Sequence, residues 1–141
     1  MDDLVLQTVV KILIPFIQTF ALAVIFNGHL SPGGGFAGGT VLGSSIILYA
    51  LAFHVDEALR HYPRQNAKVL ESLGVVTFSA VGLYALARGG NFLSNRPFFT
   101  LGQTGNLFSG GMVLLIMVAI GVKVASTMVT LFFHLLEEKK L

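Results

Sequence analysis

The chain has 141 residues, of which 54% are hydrophobic and only 11% charged, with a formal net charge of +2 and no cysteine. A soluble domain carries about 25% charged residues, so this composition excludes a water-soluble surface and reads as an integral membrane protein. The small net charge, with no basic cluster to compensate, argues against a nucleic-acid partner, and the missing cysteines rule out disulfides and thiolate metal sites.

Four stretches are long enough to span a membrane, since a helix needs about 20 mainly apolar residues to cross a core of ~30 Å. The chain begins Met-Asp-Asp, without a basic leader or a small-residue cleavage site, so a cleaved signal peptide is not expected. Residues 4–26 form the first expected span, interrupted by Lys11, Pro15 and Gln18. The glycine-rich link "GHLSPGGGFAGG" follows at 28–39, leading into a second span at 36–55. A charged link, "HVDEALRHYPRQNAK" at 54–68, separates it from a third span at 69–87. The link at 88–106 then leads to a fourth run at 107–136, long enough to tilt or protrude. None of these runs alternates with period two, so strands are not indicated, and no internal repeat is evident. The expected fold is all-α, a single polytopic membrane domain over 1–141 with four transmembrane helices.

An even number of spans leaves both termini and the 54–68 link on one side. That side holds Arg60, Arg64, Lys68, Lys139 and Lys140, whereas the other holds Arg88 and Arg96. The excess of basic residues predicts cytoplasmic termini.

Within the second span Gly35, Gly39 and Gly43 recur every four residues, which on a helix makes one smooth face for close packing. Pro32 suits the start of a helix, where its missing N–H is no loss. Gly33 and Gly34 would leave the first N–H groups uncovered at the positive end of the helix dipole, with His29 and Ser31 adding polarity. Two readings stand together: a tight link into a close-packed helix pair, and a polar funnel for an ion or water. Gly33, Gly35 and Gly38 also spell G-x-G-x-x-G with Asp56 downstream. That fingerprint needs a strand before it, and a membrane span stands there instead.

Ionisable residues inside a span cost several kcal/mol unless paired or hydrated, on the order of +3 kcal/mol even on insertion scales. Lys11 lies about four residues from the middle of the first span, on one face with Gln7 and Gln18. Lys123 lies near the middle of the fourth run and shares a face with Thr127, Thr130 and His134. The orientation above puts both lysines in the cytoplasmic half, where Glu71 is the one carboxylate of the chain able to reach Lys123. Long lysine stems can also snorkel to the headgroups, the blander reading of both. Glu71, Asp56 and Glu57 fall near span ends, so no carboxylate is expected at mid-span. Sodium is best held by carboxylates and carbonyl oxygens, and a chain so equipped reads as a partner lining or bracing a pathway. His29, His54, His61 and His134 lack metal-ligand spacing; His54 and His61 read as solvated link residues.

Enzyme classes find little support. There is no G-x-S-x-G and no H-E-x-x-H, and "HLLEEKK" matches the latter only in composition. Arg60, His61 and Arg64 are too few for a phosphatidic-acid phosphatase site.

"GHLSPGGGFAGG", the flanking "LIPFIQTFALAVIF" and "GTVLGSSIILYALAF", then "GGNFL" and "LFSGGMVLLIMVAIGVKVAS", resemble the MnhB family of membrane subunits from Mrp-type (multiple resistance and pH) cation/proton antiporters. The resemblance spans nearly the whole chain and departs at Asn27, where a histidine or small residue is expected. It implies a four-helix, multi-pass component of a hetero-oligomer in the prokaryotic plasma membrane. The partners implied are the other antiporter subunits and lipid, with sodium and protons as transported ions. Related modules in membrane-bound hydrogenases leave the parent complex open. The ion-pathway candidates are Lys11, His29, Ser31, Pro32, Phe36, Glu71, Lys123 and Thr127, and the helix-packing positions are Gly35, Gly39 and Gly43. No catalytic residue, cofactor or metal is expected.

Overall fold

The computed structural model describes residues 4–30, 32–94 and 110–138, with the backbone alone for Glu137 and Glu138. Five helices occur among them: α1 (Leu4–Phe26), α2 (Gly34–Phe53), α3 (Val55–His61), α4 (Arg64–Ala87) and α5 (Met112–Glu138). All but α3 are long and apolar enough to cross a membrane. The fold is therefore all-α with four candidate spans.

The first span has the expected bounds, while the others shift. α2 starts two residues before the expected 36, and α4 starts at Arg64 rather than 69. The fourth run was expected from 107, but 107–109 lie outside the described residues, and α5 is described from Met112. The charged link is largely helical. Val55, Ala58 and Leu59 give α3 an apolar side at helical spacing, with Asp56 and Glu57 in its first turn and Arg60 and His61 in its last, complementing the helix dipole. Ala58 is buried with Ala50, Val129 and Phe133, which pins α3 across the ends of α2 and α5. The reversal between α2 and α3 falls on His54, whose φ of 69° is a left-handed conformation that a side chain rarely adopts.

Packing follows the logic of lipid rather than water. The buried apolar positions are mostly small, among them Ala21, Ala50, Ala52, Ala85, Ala119 and Ala125, while Phe16, Phe20, Val76 and Leu83 point outward. Hydroxyls on outward faces are satisfied within their own helix. Thr8, Thr19 and Thr77 donate to the carbonyls of Leu4, Pro15 and Leu73 at 2.7, 2.7 and 2.8 Å.

The spans lie side by side in the order α1, α2, α5, α4, and α1 and α4 form no seam of their own. Gly35, Gly39 and Gly43 of α2 meet Met117, Gly121 and Ala125 of α5 in the same sequence order, so these two helices run parallel. Gly74 of α4 meets Lys123 and Ala119, and Glu71 meets Thr127, so α4 runs antiparallel to α5.

Candidate functional site

Small residues decide how near the spans come. At Gly39 an added Cβ would lie 2.6 Å from the Gly121 carbonyl oxygen, and at Gly43 it would lie 3.1 Å from the Ala125 carbonyl oxygen. At Gly35 it would strike the Met117 carbonyl. Gly38 turns the other way, onto Ile25 and the Ala21 carbonyl of α1, so α2 is close-packed on two sides.

The glycine-rich link is tight. An added Cβ on Gly28 would lie 2.6 Å from the Cα of Gly34, and Gly33 and Gly34 have φ of 115° and 58°. One N–H expected to be uncovered has a partner, since Gly35 donates to the Met117 sulfur at 3.2 Å. His29 is half-buried, with its ring against Gly110, where an added Cβ would lie 3.0 Å from the imidazole. Two glycine-rich motifs some eighty residues apart thus meet at one end of the array. Pro32 and Phe36 are exposed there, Phe36 by 66%. Ser31 lies outside the described residues.

Lys11 and Lys123, read together from the sequence, stand apart. The Lys11 ammonium sits 5.5 Å from the ring centroid of Phe53, the last residue of α2, on the side of the membrane where α3 lies. An aromatic face is a favourable seat for a cation near a headgroup layer.

Lys123, expected near the middle of its run, lies well inside α5. Arg64, the first residue of α4, has its guanidinium carbon 5.9 Å from the Phe133 ring centroid, which marks the level of α5 at the end where α3 lies. Lys123 precedes Phe133 by ten residues, about 15 Å along the helix and half of a ~30 Å core. At this depth its Nζ lies 3.8 Å from Glu71 Oε1. Thr127 donates to Glu71 Oε1 at 2.8 Å and also lies 2.9 Å from the Lys123 carbonyl oxygen. Glu71 is thus not a span-end residue; the earlier start of α4 carries it two turns into the helix. Gly74, one turn further on, makes the meeting possible, because an added Cβ there would lie 2.7 Å from the Lys123 Cβ and 2.8 Å from the Ala119 carbonyl oxygen. The side chains of Lys123 and Glu71 remain 39% and 32% exposed.

The structure therefore brings Glu71, Lys123 and Thr127 into one cluster and His29, Pro32 and Phe36 to another end, with Lys11 in neither. Sequence reasoning passed over Gly74, Gly110 and Gly121. Their only signal is the residue type itself, since a glycine's neighbour across a seam is set by which helices pair.

A family model described as "Domain related to MnhB subunit of Na+/H+ antiporter" matches residues 5–130. Proteins of Staphylococcus aureus strains Newman and COL, each named "Putative antiporter subunit mnhB2", are 39% identical over 93 residues, covering 66% of this chain. The match spans 65% of those relatives' length. Among solved structures, a chain of the membrane-bound sulfane sulfur reductase, an archaeal respiratory membrane complex, superposes with a TM-score of 0.77 at 34% identity. That likeness covers 95% of this chain and 58% of the archaeal one. With nearly all of its membrane core inside the family match, the chain belongs to the family of domains related to the MnhB subunit of Na+/H+ antiporters.

Proposed function

We propose that this chain is a non-catalytic membrane subunit of a multisubunit Mrp-type sodium/proton antiporter, lining or bracing the ion pathway from within a prokaryotic plasma membrane, with both termini cytoplasmic. The observation that carries the reading is the Glu71–Lys123 pair at mid-depth, still about one-third exposed on each side chain. Hydrocarbon cannot solvate such a pair, so its open side faces a neighbouring subunit or water. Thr127 fixes the carboxylate, and the lysine sets a positive field beside whatever covers it. His29, Pro32 and Phe36, with Ser31 beside them in the sequence, would form a second contact with the pathway at the glycine-rich end.

The test is Lys123→Met in the assembled complex, followed by sodium/proton exchange in inverted vesicles across pH. The substitution keeps the stem and removes the charge. Transport that falls, or shifts its pH optimum, in a complex that still purifies intact supports the lining role. Wild-type transport leaves this subunit as a brace.

A second reading has its own support. The likeness to a chain of an archaeal respiratory membrane complex, at 34% identity over 95% of this chain, suits an equivalent subunit in a redox-driven ion pump. Co-purification of the chain with its native neighbours separates the two, because a redox arm would come with it.

A further inference from the structure

At the end of the array where α4 begins, a cavity of about 60 Å³ lies between α4 and α5. Arg64 and Lys68 line it from one side, one helical turn apart, and Thr130 and His134 line it from the other, also one turn apart. Phe133 and Ala67 complete it. Thr130 Oγ1 is fully buried and has no hydrogen-bond partner among the described residues, whereas the hydroxyls of Thr8, Thr19, Thr77 and Thr127 all reach the carbonyl four residues back. A buried hydroxyl without a partner is destabilising, and this one opens on a cavity lined by basic side chains, so it points to an acceptor. The first turn of α4 adds to this. Its N-cap is Pro63, which gives no side-chain cap to the helix's first N–H groups. Glu71, the next carboxylate along α4, is turned to Lys123 and Thr127. Asp56 and Glu57 are exposed on α3, and Glu137 and Glu138 end α5 one turn past His134.

We propose that this pocket binds a phosphate group, the phosphodiester of an anionic phospholipid in the leaflet where α3 lies. Arg64 and Lys68 supply the charge, and Thr130 donates its unused proton to a phosphate oxygen. The depth is right: the pocket sits where α4 leaves water, level with a headgroup layer, and basic pockets between helices at this level suit such headgroups. The size admits a phosphate but not a lipid, so the acyl chains run outside it. On the other side of Ala67 a cavity of about 290 Å³, walled by Leu42, Ile46, Leu70 and Val129, offers an apolar seat for one of them. The pocket is independent of the ion pathway, since it uses neither Lys123 nor Glu71.

The experiment takes the intact complex containing this chain, stripped of lipid in detergent, and follows its thermal midpoint and retained lipid by native mass spectrometry. Three additions are compared: phosphatidylglycerol vesicles, phosphatidylcholine vesicles, and inorganic phosphate. Lys68→Gln and Thr130→Val are each tested, with Arg60→Gln on exposed α3 as the control. The expected result is stabilisation by phosphatidylglycerol above phosphatidylcholine, weakened about fivefold in affinity by Lys68→Gln and reduced by Thr130→Val, with Arg60→Gln unchanged. Stabilisation by inorganic phosphate with the same mutational pattern keeps the phosphate site and assigns it to free phosphate. Equal responses to all three additions, or responses identical in wild type and both pocket variants, overturn the proposal.

Discussion

The two seams of α5 use glycine for opposite ends. Towards α2, Gly35, Gly39 and Gly43 bring one backbone against another, and nothing ionisable enters the contact. Towards α4, Gly74 opens the seam, and the space admits the Lys123 stem on its way to Glu71. The first seam gains van der Waals contact, the one attraction that lipid does not already offer. The second places a paired charge where an unpaired one could not persist. A glycine on a membrane helix is therefore ambiguous until its neighbour is known.

Substitutions that close one seam and spare the other sharpen this contrast. The largest effect is expected from Gly39→Leu, whose side chain must displace the Gly121 backbone rather than a movable side chain. Overpacking typically costs about 1–3 kcal/mol, and the complex should fail to assemble on size-exclusion chromatography. Normal assembly would refute backbone packing at this seam.

Gly74→Ala should be milder for assembly and more damaging to the ion pair. The added methyl pushes α4 away from Ala119 and the Lys123 stem, lengthening a contact already 3.8 Å long. Glu71→Gln is the companion. Alone it leaves Lys123 without its carboxylate, so it should destabilise the complex more than Glu71→Gln combined with Lys123→Met. Coupling energies of about 0.5–3 kcal/mol are usual for residues in contact. Additive thermal shifts in that cycle would mean that the two charges do not interact.

The smallest effect belongs to neither seam and serves as their baseline. His54 turns the chain at φ 69°, where glycine is unstrained. His54→Gly should relieve backbone strain of about 1–3 kcal/mol against the roughly 0.4–1 kcal/mol lost to glycine's freedom in the unfolded chain, so the thermal midpoint should rise slightly. A fall would mean that the imidazole makes a contact worth more than the strain.

The spans were legible because hydropathy over twenty residues needs no partner to be read. Gly35, Gly39 and Gly43 were legible as a face because a helix fixes which residues share a side, though not which helix meets them. Glu71 was singled out as the carboxylate able to reach Lys123, yet it was assigned to a span end because RQNAK at the start of α4 is polar and hides the helix that carries it. α3 was missed for the same reason, although its acids lead and its bases follow around Val55, Ala58 and Leu59. Depth was the least legible quantity. The sequence set Lys11 off mid-span and Lys123 near the middle of its run, but the neighbours that fix their levels, Phe53 for Lys11 and the Arg64–Phe133 contact for α5, come from helix pairing.

The order α1, α2, α5, α4 makes the described part of this protein a partition one helix thick. Helices set in a row have two broad faces rather than an inside. Each of its two broad surfaces must be finished by something else: hydrocarbon suits the faces where the side chains are Phe, Leu and Val, whereas Glu71 and Lys123 call for protein or water. Any conduit that used this chain would therefore find only one of its walls here.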